Sequence, residues 1–514
     1  MSAEAQVPTR PDDPVVPRRR IVMVFAGLML GLLLSELNET IFATALPSVV
    51  GELRGMDHML WVTTAYILAG TIVMPIYGKL GDLVGRKPLF VLALSIFIVG
   101  SVIGGLAPNM GVLITGRAVQ GLGGGGLLIL IQAIIADLVP ARERPRYLSA
   151  MGAVFAVSSA LGPVLGGWLT AGVGWRWAFW INLPLGAVAI ASALVFLRPP
   201  ARRPEDIKVV VDVWGITTMA TGVTAIVLLT AWGGTRYDWT SPVVLTLVVI
   251  AIVATAAFIL VEQRTPEPLI SLRLFRHRNF TLATVSGLVM AVAMFGTIAY
   301  LPTYLQMVTG LTPTMSGLMM LTLIGGLGLA TVGSAQVVTR TGRYKWLPVI
   351  GSALVAIALA LLSTLTVTTD LRLLGGYLFV LGAGIGTGLQ LLLLIVQNTV
   401  DQAQVGTATA ANDFFREIGV AVGSAVVGTL FTHRLGVLLG QRIPPDAPDI
   451  DVRGLTPESV AQLPEALRAA VGSAYNDALT PVFGYLVPLM ILSTVGLALI
   501  KHEPLATTVE GEPT

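Results

Sequence analysis

The chain has 514 residues, 54% of them hydrophobic and 12% charged, with a formal net charge of +3, four histidines and no cysteine. So apolar and charge-poor a composition excludes a string of soluble globular domains. The absence of cysteine excludes disulfides and thiolate metal sites, and His58, His277, His433 and His502 form no ligand pair at helical spacing, so no metal centre is expected.

Apolar runs of about 20 residues, each enough to cross a hydrocarbon layer of ~30 Å, recur along nearly the whole chain. Residues 1–20, with Pro, Asp and Arg in no periodic order, read as a disordered tail. Arg18, Arg19 and Arg20 before an apolar stretch and Ala43-Thr44-Ala45 imitate a cleaved signal, but retention of the first segment is expected because it places the later basic loops in the cytoplasm. Six spans follow, at 21–47, 59–78, 88–106, 111–137, 146–172 and 177–197, forming an N-terminal bundle over 21–197. A linker at 198–278 carries two more, at 211–233 and 241–261. The last six, at 280–308, 313–335, 346–366, 371–398, 404–432 and 478–500, form a second bundle over 279–500 that includes a long loop at 433–477. Residues 501–514 are a second tail. The predicted fold is all-α, with fourteen membrane helices arranged as two bundles of six plus two.

Charge sets the expected orientation. Lys79, Arg86 and Lys87, then Arg142, Arg144 and Arg146, then Arg198, Arg202, Arg203 and Lys208, and later Arg264, Arg273, Arg276, Arg278, Arg340, Arg343 and Lys345 all fall in alternate connections. The other connections carry single arginines such as Arg54, Arg176, Arg236 and Arg372, apart from four in the long loop. The positive-inside rule then puts both termini in the cytoplasm, in the plasma membrane. A faint internal repeat supports two related halves: GKLGDLVGRK from Gly78 lines up with AQVVTRTGRYK from Ala335, keeping Gly342-Arg343.

Polar residues inside spans are costly and face a cavity or a partner. In the first span Glu36 and Glu39 lie three apart, at a depth comparable with Arg117 of the fourth span, where Gln120, Gly121 and Gly124 share its neighbourhood. A carboxylate near an arginine can exchange protonation for pairing, although a static ion pair has the same residues. After the second span, Gly78, Gly81 and Gly85 permit close approach, Arg86 and Lys87 stay at the surface, and Asp82 can face the positive end of a neighbouring helix as a breakable latch. Gly162, Pro163, Gly166 and Gly167 permit tight packing and a flexing point in the fifth span. Asp413, Arg416 and Glu417 sit on neighbouring turns of the thirteenth, either as a self-neutralising structural cluster or as cavity lining that takes part in coupling or binds cations. Trp61, Tyr66, Phe155, Phe295, Tyr300 and Tyr304 are aromatic candidates for a greasy cavity, with Asn38 and Gln120 as polar lining.

GKLGDLVGRKPLF from Gly78 resembles the signature loop between helices 2 and 3 of the major facilitator superfamily. LITGRAVQGLGGGG from Leu113 resembles its helix 4 motif, whose arginine is implicated in proton coupling. ALGPVLGGWL from Ala160 resembles the antiporter motif, with Ser158 where a leading glycine is usual. LNETIFATALP from Leu37 resembles the helix 1 motif of drug exporters. With WRWAFWINLPLG from Trp175 and the helix count, the chain is similar to the fourteen-helix drug:proton antiporters. The resemblance implies alternating access about a midplane cavity, a proton gradient as energy source and no cofactor. It also implies a small lipophilic substrate, protons and membrane lipids as partners, no nucleic acid, and a single chain as the unit. The usual acid of the helix 1 motif is Asn38 here, so Glu39 or Glu36 would carry the proton. An exporter of an endogenous metabolite or lipid, and a non-transporting ligand sensor, are the alternative readings. GLGGGG is followed by no Gly-Lys-Ser/Thr, so ATP hydrolysis is not expected.

Overall fold

Hydrocarbon offers no water to backbone amides and carbonyls, so each apolar run has to close its hydrogen bonds within itself. The computed structural model describes residues 18–55, 58–197, 212–234, 236–443 and 456–505. Residues 1–17 of the expected tail, the linker basics Arg198, Arg202, Arg203 and Lys208, residues 444–455 of the long loop and residues 506–514 lie outside them. Among the described residues the chain is all-helical, with one isolated bridge between Gly233 and Tyr237 in place of any strand.

The first half contains α1 (Arg18–Leu53), α2 (Met59–Val84), α3 (Arg86–Gly105), α4 (Met110–Leu138), α5 (Arg144–Ala171), the short α6 (Trp177–Trp180) and α7 (Asn182–Phe196). Next comes the inserted pair, α8 (Val213–Trp232) and α9 (Pro242–Arg264). The second half has α10 (Arg278–Ile298), α11 (Leu301–Met307), α12 (Pro313–Thr341), α13 (Trp346–Leu362), α14 (Leu371–Asn398), α15 (Val405–Arg442), α16 (Pro457–Ala461) and α17 (Glu465–Ala498). Thirteen stretches are long and apolar enough to cross a bilayer, and the 17-residue α13 makes the fourteenth. The protein is a multi-pass membrane protein.

Local chemistry sets the helix ends. Asn109, Ser241 and Thr312 each accept a backbone N–H three residues on, capping α4, α9 and α12, and proline at the start of α9 and α12 gives up only an amide that would be unpaired there. The two copies of the Gly-Arg pair do the same work: Gly85 ends α2 at φ +100° and Gly342 ends α12 at φ +70°, a region that favours glycine. Pro302 in the first turn of α11 interrupts what would otherwise be one span, leaving Tyr300 at the break.

Lipid tails are as apolar as leucine, so close packing rather than hydrophobicity holds the helices together. A Cβ at Gly123 of α4 would sit 2.5 Å from the Ala93 carbonyl oxygen of α3, and one at Gly351 of α13 would sit 2.7 Å from that of Gly384 on α14. The two halves therefore pack their equivalent helices by the same device. The glycine run of α4 is a packing surface.

Two boundaries differ from the expected ones. α15 runs to Arg442 and α17 begins at Glu465, so most of the expected loop 433–477 is helix. Hydropathy falls where side chains become polar, but the helical hydrogen bonds continue, held by Arg442 donating to Asp477 at 2.5 Å and to the Ser473 hydroxyl at 2.6 Å. Within that loop, residues 456–471 form α16, closed by a Thr456/Ser459 capping box, and the first turns of α17.

In the inserted pair, Leu245, Val249, Ile252 and Val253 of α9 are exposed where lipid would be, and α8 lies across the seam between the halves, against α2 on one side and α15 on the other.

Candidate transport pathway

The face that carries the basic connections is closed across the seam. α2 meets the start of α15 where both are small: a Cβ on Gly78 would approach the Gly406 carbonyl oxygen at 2.7 Å. Asp82, one turn on, accepts from Gly406 N at 3.0 Å, Thr407 N at 2.7 Å and the Thr407 hydroxyl at 2.9 Å. Its carboxylate thus occupies the positive N-terminal end of a helix in the opposite half. Arg86, itself buried, pairs with Asp82 at 3.0 Å and with Asp137 at 2.5 Å and donates to the Ala133 carbonyl. Gln402 of the second half donates to Asp137 at 2.8 Å, and Arg142 donates to the carbonyls of Thr339 and Arg340 at the end of α12. Lys87 is apart from this closure and donates to the Leu194 carbonyl of its own half.

Deeper in, Arg117 is fully buried in the first half. Its guanidinium donates to Asn38 Oδ1, to Gln120 Oε1 at 3.0 Å and to the Val62 carbonyl at 3.3 Å, and lies over the rings of Tyr66 at 4.3 Å and Phe42 at 4.8 Å. Gln120 donates on to Ser101, which also receives Asn182. The expectation that Glu36 or Glu39 pairs directly with Arg117 is corrected: among the described ion pairs neither is joined to it, and Asn38 is its partner. Neighbouring residues on a helix point about 100° apart, so Asn38 takes the direct bond to Arg117, and Glu39 beside it stays within electrostatic reach of that guanidinium without pairing with it among the described contacts. Glu36 and Glu39, three apart, share a different face and lie within electrostatic reach of Glu417, with Arg416 in reach of Glu36.

On α15 the expected cluster forms. Arg416 pairs with Asp413 at 3.0 Å and approaches Glu417 at 3.8 Å, while Asn412 donates to Asp413 at 3.3 Å. Two acids of α1 and three charged residues of α15 thus approach each other across the seam.

Beyond Glu417 a cavity of about 910 Å³ opens toward the other face, walled by α2, α15, the end of α8 and the turn after it. Of the expected cavity residues Tyr300 lines it, as does Glu417 of the α15 cluster. Asn38, Tyr66 and Gln120 are consumed by the Arg117 network, Tyr304 is buried and donates to Asn476 at 2.8 Å, and Trp61 packs on Trp232 at 5.8 Å. Phe155 is exposed on α5, and Phe295 is half-buried but absent from the cavity wall. In α5, Gly162 meets Thr40 and Gly166 lies 2.8 Å, measured from its would-be Cβ, from the Ile41 carbonyl oxygen, so α5 packs directly on α1. Gly167 has open space beside it, and Pro163 is exposed.

Sequence reasoning missed Asp137, Gln402, Gly406 and Thr407, and the whole contribution of α8. The run DQAQVGTAT does hold one signal, small residues at a helix start whose first amides have no partner within the helix.

The chain matches the family model of the Major Facilitator Superfamily over residues 28–424. It is 38% identical, over 98% of its length and 73% of the relative's, to an MFS-type transporter of Mycobacterium tuberculosis. It is 33% identical to the multidrug transporter protein MdtP of Bacillus subtilis, over 82% of this chain and 77% of that one. In fold it is similar to the human organic anion transporter MFSD10, with a TM-score of 0.61 at 16% identity over 92% of this chain and 99% of that one. The protein is thus a membrane transporter and not an enzyme, and the chain belongs to the Major Facilitator Superfamily.

Proposed function

We propose that the protein is a proton-coupled exporter of lipophilic, cationic drugs, working by alternating access in the plasma membrane with both termini in the cytoplasm. The observation that carries this reading is the juxtaposition of a closed basic face, latched by Asp82 on α15, with a cavity that runs from the opposite face down to Glu417. This arrangement supports the reading of an outward-open exporter ready to release its load. Charge balance supports coupling. Among the described residues, Glu36, Glu39, Asp413 and Glu417 have Arg117 and Arg416 as the bases within electrostatic reach, two negative charges in excess when all are ionised. Such an excess at membrane depth is costly and is met by protons or by a cationic substrate. Protons entering from outside neutralise Glu36, Glu39 or Glu417 and release the cation. Return to the inward state carries those protons with it, each worth ~2.3 kcal/mol per 100 mV of membrane potential.

The test is ethidium export by reconstituted protein under an imposed pH gradient, with Glu36→Gln, Glu39→Gln and Glu417→Gln compared with wild type. Export that collapses with an uncoupler, and at least one glutamine variant that matches that loss, supports the reading. Wild-type export indifferent to the uncoupler and to all three substitutions refutes proton coupling. The relatedness to MdtP, a multidrug transporter at 33% identity, adds weight to drugs as the substrate class.

A further inference from the structure

The two inserted helices have no counterpart in a six-plus-six plan, and their placement says what they do. The hairpin is fastened to α2 at both faces of the membrane, through the end of α8 and through the segment after α9. Trp232 stacks edge-on against Trp61 at 5.8 Å, and at the basic face Lys79 of α2 pairs with Glu267, three residues after α9, at 2.5 Å. The other side of α8 faces α15, the helix that the Asp82 latch holds and that carries Glu417. The hairpin therefore covers the line along which the halves part, on the side where the cavity opens.

The cavity wall reflects this. Val227 and Thr230 of α8 and Trp239 of the turn lie opposite Thr64 and Ile67 of α2 and Val420 of α15. The turn is built to present that tryptophan. Gly234 donates to the Tyr237 carbonyl at 2.8 Å with φ at +72°, and a Cβ on Gly233 would stand 2.8 Å from the Trp239 ring, which rests on the bare backbone. At the break between α10 and α11, Tyr300 adds a second ring, seated against Gly428. The lining contains two acids, Glu417 at the inner end and Asp238 near the mouth, together with His433, and neither lysine nor arginine. About 910 Å³ is at the upper end of drug-sized pockets. Rings, aliphatic walls, scattered hydroxyls and a carboxylate are the chemistry that holds an amphipathic organic cation.

We propose that the inserted hairpin is a wall of the substrate site: an amphipathic organic cation binds between α2, α8 and α15, its charge toward Glu417 and its apolar body against Trp239, Tyr300 and Val227. The proposal rests on the export reading for its direction of travel, but the site itself is defined by binding. α8 moves with α2, so rocking of the halves opens and narrows this pocket along its α15 edge.

The protein contains no cysteine, so a single thiol reports on one place. With purified full-length protein and tetraphenylphosphonium as probe, saturating ligand slows maleimide labelling of Thr230→Cys at least fivefold and leaves Thr368→Cys, exposed beyond α13, unchanged. By calorimetry, Thr230→Trp, which fills the pocket, and Trp239→Ala, which removes a ring, each raise the Kd about tenfold, and Thr368→Ala, outside the pocket, stays within threefold of wild type. Gel filtration of each variant confirms that it is folded. Tetraphenylphosphonium that binds the wild type without protecting Thr230→Cys and with an unchanged Kd in Trp239→Ala overturns the proposal, as does no binding to the wild type. None of these readouts depends on a proton gradient, so a failure of proton coupling leaves them intact and is told apart from a failure of the site.

Discussion

Replacing Asp82 with asparagine tests the closure of the basic face directly. The carboxylate accepts three hydrogen bonds from Gly406 and Thr407 at 2.7 to 3.0 Å, and asparagine can supply only one accepting oxygen to them. Its amide group then faces a backbone N–H, so a donor meets a donor. Losing one charge-assisted hydrogen bond costs about 1.5–3 kcal/mol, and the lost interaction with the end of α15 adds about 0.3–1 kcal/mol. Arg86 keeps Asp137 as a partner and offsets part of this. A net bias of about 2–3 kcal/mol against the closed state changes the conformational equilibrium roughly 30- to 150-fold, at 1.4 kcal/mol per tenfold. Spin labels on Arg146→Cys and Arg343→Cys, both exposed and on opposite halves, read the separation of the halves at this face. In wild type a short distance dominates, and in Asp82→Asn a longer population becomes the major one. An unchanged distribution in the variant would refute the latch, however the variant transports.

Further expectations follow from the same geometry. Gly166→Val drives a branched side chain onto the Ile41 carbonyl and should destabilise the protein by about 1–3 kcal/mol, seen as a lower melting temperature in detergent; Gly167→Ala, with open space beside it, should melt as wild type does. Arg117→Lys keeps the charge but cannot serve Asn38, Gln120 and the Val62 carbonyl together while lying over Tyr66, so export should fall more than tenfold; full activity in that variant would show that charge alone matters. Outside the spans, hydrogen bonds from Arg176 and then from Trp175 hold the Glu52 carboxyl below its ordinary value of 4.5. The stability this lends is present above pH 4.5 and is lost as pH falls through the depressed folded value. The side chain is half-exposed, so the contribution is small. Melting curves of wild type and Glu52→Gln should differ slightly near pH 7 and converge as pH falls through the depressed folded value, and a difference that grows on acidification would contradict the assignment.

The sequence by itself determined the solvent, the number of helices and the two-halves plan, because in a bilayer an apolar run of about 20 residues has few structures open to it. It also located the residues that are expensive at membrane depth: Arg117, Asp413, Arg416 and Glu417 are where composition made them stand out, and Asp82 was marked by being one acid among bases. Partnership was another matter. That Arg117 bonds Asn38 and not a glutamate follows from which face of α1 meets α4, and one-dimensional spacing does not contain that rotation. The latch needs the first amides of a helix more than 320 residues from Asp82, and those amides have no side-chain signature. Five of the six aromatic candidates, all but Tyr300, lie outside the cavity wall for the same reason, since a ring serves equally in a packed core, against lipid or against a ligand. Only the packing of α8 across the seam decided that this helix and the turn after it line the cavity, because contacts between halves are set by how whole helices cross, through small residues on both, and not by any property of one segment alone.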